Sequence, residues 1–295
     1  MITKTAMVAL IGRPNVGKST LTNALVGEKI AIVTNKPQTT RNRIFGIINS
    51  GDTQIILMDT PGFHKARTRL GDYMVNVVNQ SVSDVDAAVL VVEPIPNIGT
   101  QEGLLIEKIK ESRVPAILVI NKIDTVEKDV LLSVIAEYSG ACDFDAIVPL
   151  SAKTGDGTDI LLEEIKKYAI EGPALFPEDM ITDQPERHIC AEIIREKLLL
   201  CLDREIPHGT AVEITKFSER DDGIIDLEAT IFCEKASHKG MIIGKKGAML
   251  KKIGTLARED IESFMGTKVF IQTWVKVKEN WRDSNAQLRN FGYEE

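Results

Sequence analysis

The chain has 295 residues, a formal net charge of −7, and ordinary shares of apolar (43%) and charged (27%) residues. This length suits two domains with separate cores, and the composition excludes a disordered or fibrous protein. No apolar run approaches the roughly 20 residues of a membrane-spanning helix, and we expect no secretory signal at the N-terminus. The four cysteines are widely spaced without a CxxC pair, which predicts buried free thiols in a reducing, cytoplasmic compartment.

From residue 6 to about residue 170, short β-branched runs alternate with longer amphipathic segments. The apolar runs are AMVALIG, TQIILMD, AAVLVVE, AILVINK and AIVPLSA. Near-continuous apolar runs predict strands that are covered on both faces, as in a mostly parallel sheet wrapped by helices. RIFGIINSGDTQIILMD differs, because a turn signal at residues 49–52 separates two strands. It predicts a hairpin and one antiparallel edge strand.

The run GRPNVGKST follows the first predicted strand, precedes a helix, and matches G-x-x-x-x-G-K-[ST]. Its glycines let backbone N–H groups and the helix N-terminus face phosphate oxygens. We expect Lys18 to reach the outer two phosphates of a nucleoside triphosphate and the Ser19 hydroxyl to bind Mg²⁺. The alternative is a plain glycine turn. The predicted nucleotide-binding residues of this run are Gly12, Arg13, Pro14, Asn15, Val16, Gly17, Lys18, Ser19 and Thr20.

Two polar loops follow this run. KPQTTR supplies Thr39 and Thr40, and either hydroxyl is a candidate to complete the metal shell. DTPG ends the second hairpin strand, where we expect Asp59 to hold Mg²⁺ through water and the Gly62 N–H to sense the terminal phosphate. Loops of this kind are ordered by the terminal phosphate and released when it leaves, which predicts a switch. The predicted nucleotide contacts here are Asp59, Thr60, Pro61 and Gly62.

The motif NKID predicts which base is bound. A carboxylate at Asp124 accepts two hydrogen bonds from guanine, whereas adenine offers no donors there and would leave a buried charge unpaired. Lys122 can lay its aliphatic stem along the purine, and the Ala152 N–H of the later motif SAK is expected to meet the guanine oxygen. Alone, NKID is equally consistent with a turn that ends a strand. The predicted base-site residues are Asn121, Lys122, Asp124, Ser151, Ala152 and Lys153.

These five motifs resemble those of Ras-like P-loop GTPases over roughly the first 170 residues. The resemblance implies that Thr40 rather than Thr39 is the metal ligand, so that Mg²⁺ is held by Ser19, Thr40 and Asp59. Phe63 stands where these enzymes carry a water-orienting glutamine, so we expect slow intrinsic hydrolysis. The next side chain, His64, is either catalytic or merely solvated.

Asn15 matches an asparagine that helps bind K⁺ beside the phosphates in a subgroup of bacterial GTPases. A monovalent cation there would take the place of an arginine finger. The alternative is that Asn15 is simply a turn residue. The residues predicted to be catalytic are Asn15, Lys18, Thr40 and Gly62.

The alternation of apolar runs and amphipathic segments stops at EGPALFPEDMITDQPER, which predicts a proline-rich linker. Beyond it, the apolar spacing predicts the order helix, strand, strand, helix, helix, strand. Together with the GKKG turn at residues 244–247, which resembles the G-x-x-G turn of KH domains, this order predicts an α/β P-loop GTPase domain followed by an α+β type II KH domain. The predicted boundaries are 1–171 for the GTPase domain, 172–186 for the linker, 187–280 for the KH domain and 281–295 for a C-terminal tail.

A cationic segment stands out in this acidic chain: residues 237–278 hold eight lysines and one arginine against three acidic residues. Within it, IIGKKG fits the G-x-x-G turn of a KH domain, whose glycines let the backbone approach sugar-phosphate, beside an apolar groove for bases. A solvated lysine face is the alternative. The predicted RNA-binding residues are Met241, Ile242, Ile243, Gly244, Lys245, Lys246, Gly247, Lys251 and Lys252.

A KH domain after a single GTPase domain resembles the Era family of bacterial GTPases, and FPEDMITDQPERHICAEIIREKLL resembles the joint of that family. The resemblance implies a GTP- and GDP-binding factor that hydrolyses GTP, binds the 3′ end of small-subunit ribosomal RNA, and assists 30S assembly and rRNA maturation. It also implies peripheral contact with the inner face of the cell membrane, and we expect a monomer. The tail, with Trp281 and Phe291, is expected to cover part of the KH surface.

Other functions fit the sequence less well. A signalling or transport GTPase whose second domain binds protein would be favoured by an acidic KH surface, and this surface is basic. A tRNA-modifying GTPase would carry a C-terminal cysteine, but the chain ends FGYEE. The single GxxxxGKS motif excludes a double-GTPase assembly factor.

Overall fold

The computed structural model describes residues 1–63, 68–81, 85–203 and 205–293. Two compact units divide the chain between Asp183 and Gln184, except that the segment Ile32–Thr39 and residues 68–70 belong to the second unit. His64, which the sequence left open between a catalytic and a solvated role, lies outside the described residues.

The first unit is built on a mostly parallel sheet, as the apolar runs predict. Its strand order is β2-β3-β1-β4-β5-β6, with β2 antiparallel to β3 at one edge and a short β7 antiparallel to the start of β1. The two-residue β7 has no pattern that sequence reasoning could detect. The strands are β1 (Lys4–Ile11), β2 (Ile44–Ser50), β3 (Thr53–Asp59), β4 (Ala87–Val92), β5 (Ala116–Ile120), β6 (Ala146–Pro149) and β7 (Ile170–Glu171).

Helices cover this sheet, which explains why its strands are apolar throughout. Along β1, Val8 and Leu10 pack into one apolar cluster while Ala9 and Ile11 pack into another, and all four side chains are fully buried. The carboxyl ends of the parallel strands then carry the loops at one edge of the sheet. The helices are α1 (Lys18–Val26), α2 (Arg69–Ser81), α3 (Thr100–Ser112), α4 (Lys128–Ala141) and α5 (Thr158–Lys166).

The proline-rich segment after β7 is held against the first unit by hydrogen bonds. Gln54 of β3 accepts hydrogen bonds through Oε1 from the N–H groups of Leu175 and Phe176, at 2.8 and 2.9 Å. The Ile47 N–H of β2 donates to the Ile181 carbonyl at 2.9 Å. Residues 175–181 therefore run along the hairpin, and Pro177 suits a segment that needs few ladder donors.

The second unit has the predicted order of helix, strand, strand, helix, helix, strand. Its sheet has the order β10-β9-β8, with β9 antiparallel to β8 and parallel to β10. The helices share one apolar core with the inward side chains of the sheet. The elements are α6 (Glu186–Cys201), β8 (Ala211–Glu219), β9 (Ile225–Cys233), α7 (Ala236–Ile243), α8 (Ala248–Met265), β10 (Val269–Val277) and α9 (Asn285–Asn290).

The tail is part of the core of the second unit. Trp281 is fully buried, and its indole Nε1 donates to the Gly209 carbonyl at 3.0 Å. Phe291 packs between the rings of Trp281 and Phe232, with centroid separations of 5.2 and 5.0 Å. The tail does cover Phe232 of β9, as the sequence predicts, but it also completes a core that a boundary at residue 280 leaves open.

Two other sequence predictions concern burial. All four cysteines are free thiols, but only Cys190 and Cys233 are buried, while Cys142 and Cys201 are partly exposed. In the part of the chain that the structure describes, no helix combines the length and the apolar character needed to cross a bilayer.

We predict that Trp281→Ala destabilises the second unit by about 3–5 kcal/mol, because it removes a fully buried indole and leaves a cavity. Trp274→Ala is the matched control, since that indole is 44% exposed on β10 and should cost about 1 kcal/mol or less. Urea unfolding followed by circular dichroism measures both. Equal costs for the two variants would show that the tail is not part of the core.

Candidate functional site

The glycine run between β1 and α1 forms a tight loop that closes on a buried lysine. Gly17 has a left-handed φ of 100°, and a Cβ there would lie 2.2 Å from Asn121 Nδ2, so a side chain has no room. Lys18 Nζ donates to the carbonyls of Gly12 and Arg13, both at 3.1 Å. Burial lowers the pKa of Lys18 to about 8, against the opposing effect of the Asp59 carboxylate. The ammonium is thus held where the loop curls.

Three oxygen-bearing side chains meet beside this lysine. Ser19 Oγ donates to Asp59 Oδ2 at 2.6 Å and lies 2.8 Å from Thr40 Oγ1. Burial raises the pKa of Asp59 to about 6, with Lys18 and Ser19 opposing the shift. Among the residues that the structure describes, the other oxygen of Asp59, Oδ1, is buried without a hydrogen-bond partner. Hard oxygen donors around an orphaned carboxylate oxygen fit Mg²⁺, which prefers such ligands.

The structure separates the two candidate threonines. Thr40 lies at the oxygen cluster, whereas Thr39 Oγ1 donates to the Lys36 carbonyl at 2.6 Å and lies 2.7 Å from Thr34 Oγ1. Thr39 therefore stabilises the turn of its own loop. The segment Ile32–Thr39 is also tied to α6, since the Val33 N–H donates to Glu196 Oε1 at 2.9 Å.

The DTPG loop lies against the glycine run. A Cβ on Gly62 would come within 2.7 Å of the Pro14 Cα, and the Phe63 N–H donates to the Gly12 carbonyl at 3.1 Å. The Phe63 ring packs against an apolar cluster of the sheet, with Lys108 Nζ 5.4 Å from its centroid. Phe63 is therefore a packing residue without a group that orients water. Thr60 is fully buried, and its hydroxyl donates to the Leu10 carbonyl at 2.7 Å.

Asn121 ties the predicted base loop to the glycine run. Its Nδ2 donates to the Val16 carbonyl at 2.8 Å, and its Oδ1 accepts from the N–H groups of Lys122 and Ala152 at 2.8 and 2.9 Å. The Ala152 N–H, predicted to meet the guanine oxygen, thus already has an acceptor within the protein. Sequence reasoning missed this bond because nothing in SAK indicates which way its amides point.

Asp124 and Lys122 frame the rest of the base loop. The Ser151 hydroxyl donates to Asp124 Oδ1 at 2.7 Å, which orients a carboxylate that is otherwise exposed. Lys122 Nζ donates to the Asn15 carbonyl at 2.7 Å, so the lysine spans from the base loop to the glycine run. The structure thus brings together, at one edge of the sheet, the predicted residues that lie at the ends of β1, β3, β5 and β6.

The GKKG turn of the second unit joins α7 to α8. Gly244 has φ 73°, and a Cβ there would lie 2.7 Å from Met249 Cβ, so only glycine fits. Lys245 and Lys246 are exposed, as are Lys251 and Lys252 on α8. The side chain of Ile242, a residue predicted to contact RNA, is fully buried in the core beneath the turn.

A groove runs beside this turn between α8 and β10. Its volume is about 390 Å³, which is of a size to take a base. Its lining is part apolar and part polar rather than the apolar groove expected. The lining residues that sequence reasoning missed are Leu250, Gly254, Thr255, Arg258, Ile271 and Thr273, although the first four follow Gly247 at helical spacing.

Comparison with known proteins places the chain in a family. Residues 7–122 match the family described as 50S ribosome-binding GTPase, and residues 205–282 match the KH domain. GTPase Era of Ruminiclostridium cellulolyticum is 53% identical over 290 residues, which is 98% of this chain and 97% of that protein. GTPase Era of Clostridioides difficile is 50% identical over 292 residues, 98% of each. The chain belongs to the Era family of GTPases.

Solved Era structures agree with this membership. A crystal structure of Era in complex with MgGDPNP and nucleotides 1506–1542 of 16S ribosomal RNA has a TM-score of 0.94 at 38% identity, covering 99% of this chain and 100% of that one. A variant of Aquifex aeolicus Era bound to GDP and AlF₄⁻ gives the same figures. The protein is therefore a GTPase whose GTP-binding domain is followed by a KH domain.

Proposed function

We propose that this Era-family protein is a GTP-dependent switch that binds the 3′ end of small-subunit ribosomal RNA and assists 30S assembly and rRNA maturation. The observation that carries the proposal is the GKKG turn, which needs glycine at position 244 and presents two exposed lysines beside a groove. Support also comes from the Era complex with MgGDPNP and 16S ribosomal RNA. In this proposal residues 1–171 bind and hydrolyse GTP and residues 187–280 bind RNA.

In the nucleotide site, Lys18 neutralises charge on the outer phosphates and the Gly62 N–H contacts the terminal phosphate. Ser19, Thr40 and Asp59 would hold Mg²⁺, which supplies further charge neutralisation when bound. Asp124 accepts from guanine while Ser151 keeps its carboxylate in place. The remaining nucleotide residues of the glycine run, DTPG, NKID and SAK form the walls around phosphates and base.

The segment Ile32–Thr39 supports a coupling between nucleotide binding and RNA binding. Thr40 belongs to the nucleotide site, and the residues just before it, Ile32–Thr39, are part of the second unit. Lys36 Nζ donates to the Leu202 carbonyl at the end of α6, and Val33 binds Glu196 on the same helix. A loop that follows the terminal phosphate and is anchored in this way would transmit hydrolysis to the RNA-binding unit.

The proposal has three further parts. They are a cytoplasmic location, a monomeric state and a peripheral contact with the inner face of the cell membrane. No described residue is assigned to the membrane contact.

A test of the RNA proposal replaces Lys245 and Lys246 with Gln, which keeps both glycines and the turn. We predict that affinity for 16S ribosomal RNA 3′-end oligonucleotides falls and that the slope of log affinity against log salt decreases by about 1.4, because two phosphate contacts are lost. Basal GTP hydrolysis should not change. Filter binding at several salt concentrations measures the slope.

The matched control replaces Lys166 and Lys167 at the C-terminal end of α5 with Gln, which removes the same charge from two adjacent lysines paired with Glu163 and Glu164. This variant should bind RNA like the wild type. If the GKKG variant retains the original affinity and salt slope, its lysines are only a solvated face and the RNA proposal fails.

A second prediction concerns K⁺. Because Phe63 cannot orient water, we propose that K⁺ held by Asn15 assists hydrolysis; the position of Asn15 within the glycine run, three residues before Lys18, supports this. GTP turnover should be several-fold faster in K⁺ than in Na⁺ at equal ionic strength, and Asn15→Ala should remove the difference. Equal rates in the two salts would contradict the proposal and require an RNA or protein activator instead.

A further inference from the structure

Glu93, the residue that follows β4, binds cations from two different loops. Its Oε2 accepts from Arg13 Nη2 at 2.5 Å, and its Oε1 accepts from Lys122 Nζ at 2.5 Å. Arg13 stands in the glycine run and Lys122 in the base loop, about 80 and 29 positions away along the chain. One carboxylate therefore bridges the phosphate-binding and base-binding parts of the site.

Neighbouring contacts extend this bridge. Arg13 Nε lies 2.6 Å from Glu102 Oε1 on α3, a carboxylate whose side chain is 9% exposed. Lys122 Nζ also donates to the Asn15 carbonyl at 2.7 Å. The guanidinium of Arg13 is thus enclosed by two carboxylates, so its charge is neutralised within the protein.

The charges explain why the position needs a carboxylate. Arg13 and Lys122 each lie 2.5 Å from the same carboxylate, whose negative charge offsets the repulsion between the two cations. If that carboxylate loses its charge, the repulsion is no longer offset. The side chains of Arg13, Glu93 and Lys122 are 21–36% exposed, so each pair alone contributes little to stability. A bridging carboxylate with two partners instead orders the side chains that make it.

We propose that Glu93 is a positioning residue for guanine-nucleotide binding, which it supports by fixing the glycine run to the base loop through Arg13 and Lys122. The inference rests on the nucleotide site proposed above. Glu93 holds Lys122 in the orientation in which its stem covers the purine and its ammonium reaches Asn15. Because these loops bind GDP and GTP alike, Glu93 contributes equally to both.

The test is Glu93→Gln, which preserves shape and removes the charge. Affinities for GDP and GTP, measured with fluorescent nucleotides, should both fall about tenfold, as expected for losing a charged hydrogen-bond partner. KM for GTP should rise by the same factor while kcat at saturating GTP stays unchanged, because binding common to substrate and transition state is lost. Glu93→Asp should restore part of the affinity.

Two comparisons separate positioning from a structural role. The melting temperature of nucleotide-free Glu93→Gln should match the wild type, and adding Arg13→Gln to Glu93→Gln should cost less affinity than Arg13→Gln does alone. The control Glu163→Gln removes a carboxylate that pairs with Lys166 on the exposed side of α5 and should leave nucleotide affinity unchanged.

Three outcomes overturn the proposal. Wild-type affinity in Glu93→Gln excludes a positioning role, and a lowered melting temperature with a fall in kcat indicates a structural one. Additive losses in the double variant show that Glu93 and Arg13 act separately. Failure of the wild-type protein itself to bind GDP would instead contradict the proposed nucleotide site, and this outcome is distinct from a failure of the Glu93 proposal alone.

Discussion

The arrangement of the loops at the carboxyl edge of the first sheet depends on the side-chain amide of Asn121. This residue is 2% exposed and directly follows β5, and its amide donates to Val16 and accepts from Lys122 and Ala152. The loops that follow β1, β5 and β6 are thereby held at fixed separations. Because a buried amide without partners is costly, these three bonds form together or the arrangement is lost. The tight approach of Gly17 to this amide follows from the same constraint.

The two basic sites use lysine in different environments. Lys18 is buried and donates to two carbonyls, and burial lowers its pKa to about 8 against the opposing effect of the Asp59 carboxylate. Lys245 and Lys246 are exposed and keep their hydration. The first arrangement suits one phosphate group in one position, whereas the second suits a mobile phosphate backbone and is weakened by salt. Glycine serves both sites by removing a Cβ that would clash.

Local patterns in the sequence predicted much of this structure. Continuous apolar runs predicted buried parallel strands, and β1 shows why, since its successive side chains enter two different clusters. The turn signal at residues 49–52 predicted the antiparallel edge, and motif spacing placed Ser19, Asp59 and the NKID loop at adjacent strand ends. The choice of Thr40 over Thr39 needed a family resemblance, because both hydroxyls stand in the same polar loop.

Features that depend on distant contacts were not predictable. Trp281 belongs to the core because its indole reaches Gly209, and Ile242 faces inward although the adjacent Met241 is 52% exposed. Glu93 carries no motif, since its partners lie far away in the sequence. Amide hydrogen exchange of nucleotide-free Asn121→Ala tests most directly the claim that Asn121 couples the glycine run to the SAK loop. We predict faster exchange in both residues 14–20 and residues 151–155, with α8 unchanged; faster exchange in only one of these loops, or in neither, would contradict the claim.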